Sequence, residues 1–313
     1  MSNHSSVSER LFDIIDEMAM LLVSEINMRY LDALIASSQN VLSADVLQEV
    51  DVDTEIKLFA LTKELNQLEF SVEEVRKALQ LALLKGLKAD NLSLDEMTPD
   101  GVSYIIGFLV KHLINNKRDI KVADFMVGTG NLLTAVLNIV QAENPQIYGV
   151  DTNYKRLELA KMLLDMQDYN GQFYNQSSIQ DMNIPVLDLI LGDFPMIDNS
   201  IKSADYLPYQ MIENHLHYLK TGGYAIYIIS NNFFSQPTAP QFHQTLSAKG
   251  KIRMLLQLPE SMFKNNQIGK SILVVGDRSF DKEALIVALP NFNQQKNMES
   301  TLTKIEDWIK LNT

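Results

Sequence analysis

The sequence predicts an α/β protein, a sheet of parallel strands covered by helices on both faces, with an all-helical domain in front of it. Three observations carry that prediction. Up to about residue 96 the apolar residues recur only at helical intervals; beyond it, short apolar runs alternate with helical stretches. Apolar strands separated by helices imply a parallel sheet buried on both sides. The charge divides at the same place, with 19 acids and 8 bases in residues 1–100 against 20 and 19 in the remainder. We therefore place a helical domain at 1–95 and an α/β domain at 96–313.

Taken in order, Ser6 and Glu9 have capping-box spacing ahead of Leu11, Phe12, Ile14, Ile15, Met18, Leu21, Leu22 and Ile26, which predicts the first helix. A second is expected after Asp53, and Ser71 with Glu74 repeats the box before VRKALQLALLKGL. Thr98-Pro99 reads as the start of a helix over 99–115, because threonine caps and proline suits the first turn. KVADFM, IYGVD, QFYNQ, LDLILG, YAIYIIS, IRMLLQL and SILVVGD then read as strands, and ALIVAL at 284–289 as an edge strand. TNYKRLELAKMLLDMQ and YLPYQMIENHLHYLK read as helices between them.

Composition removes several functions. With 46% hydrophobic and 21% charged residues, the 313-residue chain has the profile of a globular protein. No run reaches the roughly 18 apolar residues of a membrane span, and MSNHSSVSER lacks the features of a secretory signal. Without cysteine there is no disulfide, thiolate zinc site or cysteine nucleophile, and a reducing cytoplasm is the economical location. The five histidines have no metal spacing, so no metal is expected. Seven bases between 249 and 282, Lys270 among them, read as a solvated rim.

DFMVGTGNLL at 124–133 lies between a strand and a helix, where Gly128 and Gly130 let the backbone turn tightly and approach a ligand. Asp151 ends the next strand, the place where doubly wound folds bind ribose hydroxyls. A nicotinamide site would want a third glycine at 133, which is Leu. S-adenosylmethionine, which has no pyrophosphate, fits better.

These motifs and their order resemble the N6-adenine-specific DNA methylases, class I S-adenosylmethionine-dependent methyltransferases related to type I modification subunits. The resemblance covers about 97–280: TPDGVSYIIGFLV, DFMVGTGNLL with Phe125 for the usual proline, YGVDTNYKRLELAKMLL, SIQDMN, and IISNNFFSQ through GKSILVV. It implies a Rossmann-like methyltransferase sheet and S-adenosylmethionine as cofactor. It implies that Thr98, Asp124 and the loop Val127, Gly128, Thr129, Gly130 and Asn131 meet the methionine end, although Thr98 also reads as a plain helix cap. Asp151, followed by Thr152, would hold the ribose, and Asp181 with Met182 would meet the adenine.

DLILGDFPM at 188–196 stands where the family has Asn/Asp/Ser-Pro-Pro-aromatic. There a side-chain oxygen and a backbone carbonyl accept the two hydrogens of an exocyclic amine, and the aromatic stacks on a flipped base. Asp193, Phe194, Pro195 and Met196 are the candidate catalytic residues. Phe194 replaces the first proline, Met196 removes the stacking plane, and Phe233 or Phe234 could supply one. The resemblance implies methyl transfer to adenine N6 with DNA or another nucleic acid as substrate. The alternatives are a catalytically impaired cofactor-binding protein acting through protein contacts, and an RNA or protein methyltransferase. The acidic helical domain suits protein contact or self-association better than phosphate binding.

Overall fold

The computed structural model describes residues 6–92, 97–195, 206–263, 268–278 and 282–312. The expected boundary between 95 and 96 lies outside the described residues. The first part is built from α1 (Val7–Ile26), α2 (Tyr30–Ser43), α3 (Val52–Asn66) and α4 (Val72–Ala89). Both capping boxes form, Ser6 with Glu9 and Ser71 with Glu74. The helix expected after Asp53 starts earlier, because the Asp51 carboxylate accepts from the Asp53 and Thr54 amides and caps it. α2 was not foreseen; its N-cap Arg29 makes no side-chain bond, so no capping signature marks its start. Met18, Leu22, Leu34, Leu58, Leu79 and Leu83 form the core of this unit.

The second part runs α5 (Asp100–Leu113), β1 (Lys121–Asp124), α6 (Asn131–Val140), β2 (Gln146–Asp151), α7 (Tyr154–Asp165), β3 (Gly171–Asn175) and β4 (Leu187–Asp193). It continues with α8 (Leu207–His215), β5 (Leu219–Ser230), α9 (Ala239–Lys249), β6 (Lys251–Gln257), β7 (Lys270–Gly276), β8 (Leu285–Ala288) and α10 (Gln295–Asn312). The sheet has the order β3-β2-β1-β4-β5-β7-β6-β8. β3, β2, β1, β4 and β5 are parallel, while β7 runs antiparallel between β5 and β6. The expectation of a parallel sheet is thus corrected at β7. Among the described residues the β6–β7 connection holds one 3-10 turn and no helix of the kind that usually carries a parallel return. ALIVAL supplies the edge strand, with β8 parallel to β6.

One face is covered by α5, α6 and α10, whose Leu109, Leu133 and Ile305 pack with Val122, Leu189 and Ile226 of the sheet. α8 and α9 cover the other, where Ile212 and Leu246 pack with Ala123, Ile190 and Tyr227. α7 serves two cores. Leu157, Ala160 and Leu164 join the sheet, and Leu159, Met162 and Leu163 join the helical unit. The chain winds from β1 outward to β2 and β3 on one side, and β4 and β5 lie on the other. The crevice at the carboxyl ends of β1 and β4 is therefore the switch point where such sheets bind ligands. Among the described residues no helix is long and apolar enough to cross a membrane.

Candidate functional site

A cavity of about 690 Å³ opens at that switch point. β1 delivers Asp124 to its floor, 1% exposed. Burial pushes this carboxyl up to about 7; the Met126 amide, donating to Oδ1 at 3.0 Å, opposes the shift, and the charges of Asp193 and Asp151 add to it. The chain then turns through Gly128 (φ 53°) and Gly130 (φ 84°), both in the left-handed region. A Cβ at Gly130 would also lie 3.1 Å from the Ala160 Cα, so the residue sets how closely α6 approaches α7. At the tip of β2, Asp151 is oriented by the Gly128 amide on Oδ2 at 3.1 Å and the Asn153 amide on Oδ1 at 2.8 Å. Thr129 Oγ1 and Ser178 Oγ, both on cavity-lining residues, are buried without a hydrogen-bond partner.

The β4 end differs. Asp193 Oδ1 accepts from Lys270 Nζ at 2.7 Å and Oδ2 from Thr98 Oγ1 at 2.9 Å. The Phe194 carbonyl accepts from the same Lys270 Nζ at 3.0 Å. Thr98 therefore does not cap α5, whose N-cap is Pro99, and it spends its hydroxyl on the strand-end carboxylate. Its carbonyl accepts from Asn131 Nδ2 at 2.8 Å, and Asn131 Oδ1 accepts from Arg76 Nη1 at 2.7 Å. Arg76 belongs to α4 and has a fully buried side chain, held by Glu73 and Asp100. Burial alone would weaken its charge, but the bonds and charges of those two carboxylates raise its pKa. Glu73 is lowered to about 2; burial opposes the shift, and the bonds from Arg76, Asn138 and Tyr104 outweigh it.

The structure brings together Thr98, Asp124, Val127, Gly128, Thr129 and Asn131 as lining residues. Asp151, Thr152, Asp193, Phe194 and Pro195 join them. Gly130 stands behind the wall as the N-cap of α6. Asp181 and Met182 do not line the cavity, which is a correction. The loop after β3 presents Gln176, Ser177, Ser178 and Ile179, while the Met182 amide is turned to the Tyr218 hydroxyl. Met196 lies outside the described residues. Phe233 and Phe234 are corrected too: Phe233 is buried among Tyr206, Tyr209 and Phe242, and Phe234 packs edge-on against it. Phe263 is the aromatic that lines the cavity from the β6–β7 connection. Lys270 was missed altogether, and its one signal is a lysine opening an apolar strand next to the motif strand. Among the described residues no group of histidines and acids could hold a metal.

This arrangement suits a cationic, nucleoside-bearing ligand: carboxylates at the ends of β1, β2 and β4 and a two-glycine turn. Residues 102–253 match the methyltransferase small domain, and residues 9–87 match the YtxK N-terminal helical domain. The whole chain is similar to a solved candidate class I S-adenosylmethionine-dependent methyltransferase from Listeria monocytogenes, at 27% identity and a TM-score of 0.83, over 96% of this chain and 98% of that one. The fold is that of an S-adenosylmethionine-dependent methyltransferase. The chain is also 27% identical to the uncharacterized protein YtxK of Bacillus subtilis, over 96% of this chain and 97% of that protein. The methyltransferase fold extends to the type I restriction-modification methyltransferase subunit of Streptococcus thermophilus, with a TM-score of 0.58 at 15% identity, over 96% of this chain and 74% of that one. S-adenosylmethionine is the cofactor that this fold serves.

Proposed function

We propose that the protein is an S-adenosylmethionine-dependent methyltransferase that acts on an exocyclic amine, with adenine N6 in nucleic acid as the acceptor. The observation that carries the cofactor is the cavity at the switch point, lined by the strand-end carboxylates Asp124, Asp151 and Asp193. S-adenosylmethionine carries an ammonium and a sulfonium against one carboxylate, which suits a cavity lined by Asp124 and Asp151 apart from the Asp193–Lys270 pair. Bound there, it would supply an electrophilic methyl group. Asp124 and the 127–131 loop would hold the amino-acid end, and Asp151 the ribose hydroxyls. The adenine end would fall to the loop at 176–179 rather than to Asp181.

The acceptor assignment rests on Asp193-Phe194-Pro195. A carboxylate and a neighbouring carbonyl at the tip of β4 can accept the two hydrogens of an amine and shift its lone pair toward the methyl group. The reading treats 1–95 as a helical domain for protein contact or self-association and 96–313 as the catalytic domain. A second reading has an observation of its own. Both amine acceptors are already engaged by Lys270, which favours a cofactor-binding protein whose catalysis is impaired. Calorimetry with S-adenosylmethionine and S-adenosylhomocysteine tests the cofactor. Transfer of a labelled methyl group to DNA, RNA and protein separates the readings, and binding without transfer to any of them leaves the second.

A further inference from the structure

The acceptor end of the cavity holds a built-in cation. Lys270 opens β7 and pairs in register with Ser230 at the end of β5, one strand away from Asp193. Two contacts fix the backbone there: the Asn231 amide donates to the Gly269 carbonyl at 2.8 Å, and Ser271 Oγ donates to Asn231 Oδ1 at 2.7 Å. A Cβ at Gly269 would lie 2.6 Å from Asn231 Nδ2, so a larger residue there would displace the Asn231 side chain. The side chains of Lys270 and Asp193 are 16% and 18% exposed, far from a solvated rim.

An exocyclic amine entering this site brings two N–H hydrogens and needs an acceptor for each. Those acceptors, Asp193 Oδ1 and the Phe194 carbonyl, both receive hydrogens from Lys270 Nζ, at 2.7 and 3.0 Å. Bonds from an ammonium to a carboxylate are stronger than those from a neutral amine. Pushing the ammonium aside would strip a largely buried carboxylate of its charge partner. We propose that Lys270 occupies the amine subsite and decides which acceptors the site admits, so that a neutral exocyclic amine enters only when the lysine side chain has swung out. An ammonium paired with a carboxylate has no lone pair to give, so Lys270 acts as gate and not as nucleophile. This inference rests on the β4 tip being the acceptor end, as proposed above.

The test uses the full chain with Lys270→Met, which removes both donations at similar length, and Lys270→Gln, which keeps a neutral donor and stands in if the methionine variant does not fold. Calorimetry with S-adenosylhomocysteine comes first. Absence of binding in the wild type would sink the cofactor reading, and the gate with it. With binding established, labelled methyl transfer to a single-stranded oligonucleotide containing adenine is compared. Lys270→Met should transfer about tenfold faster or more, the least expected from removing one charge-assisted competitor, and Lys270→Gln should be intermediate. Cofactor affinity should stay within about threefold, because the cofactor is held at the β1 and β2 ends. Transfer no faster than wild type, in variants that melt and bind cofactor normally, overturns the gate while leaving the cofactor reading intact. A methyl group found on Lys270 itself by peptide mass mapping also overturns it, since the lysine would then be the acceptor.

Discussion

At the β1–β2 end of the cavity, burial and the charges of Asp193 and Asp151 raise the Asp124 carboxyl to about 7; at the β4 end, both oxygens of Asp193 and the Phe194 carbonyl are already bonded. The first end gathers carboxylates whose mutual repulsion a cationic ligand would relieve. At the second, the Lys270 ammonium already bridges Asp193 Oδ1 and the Phe194 carbonyl, the two oxygens that an incoming amine would use. One end thus gathers carboxylates that a cationic ligand would suit, and the other already holds a cation of its own.

The largest expected effect separates the two ends most sharply. Asp193→Ala should lower methyl transfer by about 1,000-fold or more, roughly 4 kcal/mol of transition-state stabilisation, and leave cofactor affinity within a few fold. If calorimetry finds its affinity loss equal to that of Asp151→Ala, Asp193 belongs to the cofactor end and the division is wrong. Asp151→Ala should weaken cofactor binding by about 100-fold, as expected for two lost hydroxyl bonds to a charged acceptor at roughly 1.5–3 kcal/mol each with part recovered by water. Activity at saturating cofactor should survive that change.

Arg76→Met reaches the site from the helical unit. It removes the guanidinium that fixes Asn131, and through Asn131 the carbonyl of Thr98. Unfolding free energy should fall by about 2–4 kcal/mol, since Glu73 and Asp100 lose their buried partner but remain partly exposed. An unchanged denaturation midpoint would remove Arg76 from the link between the two units. Variation of pH reads the Asp124 carboxyl over a span of pH rather than in one step. The folded chain holds the Asp124 proton up to about 7, while the unfolded carboxyl titrates near about 3.9. Its protonation therefore favours folding, fully so below about 4. That contribution fades as the pH rises through about 7. Without cofactor the melting temperature should drift downward across this interval, and Asp124→Asn should flatten the drift. With S-adenosylhomocysteine the order reverses, because the ammonium needs the carboxylate ionised. A slope that Asp124→Asn leaves unchanged would assign the titration elsewhere.

The sequence made the strands legible because buried parallel strands are short apolar runs bounded by turn residues, and seven such runs became β1 to β7. It also made Asp124, Gly128, Asp151 and Asp193 legible, because strand tips and two-glycine turns are local features. Direction was not legible: nothing in SILVVGD distinguishes an antiparallel strand from a parallel one. Thr98 looked like a cap because Thr-Pro is a capping pattern, and only the fold brings Asp193, 95 residues away, within reach of its hydroxyl. Lys270 looked like one base among seven because its partners lie 76 and 77 residues earlier. Asp181 falls outside the cavity lining, since loop length after β3 does not say which residue turns inward.

α7 carries a consequence for any attempt to divide the chain. With Leu157, Ala160 and Leu164 on one side and Leu159, Met162 and Leu163 on another, it is a wall common to two rooms. Cutting near residues 93–96 would leave the helical fragment without part of its lining and the catalytic fragment with a greasy stripe facing water. Neither piece should then behave well by itself. The two fragments expressed together should find each other again through that stripe, as halves of one protein rather than as neighbours on a string.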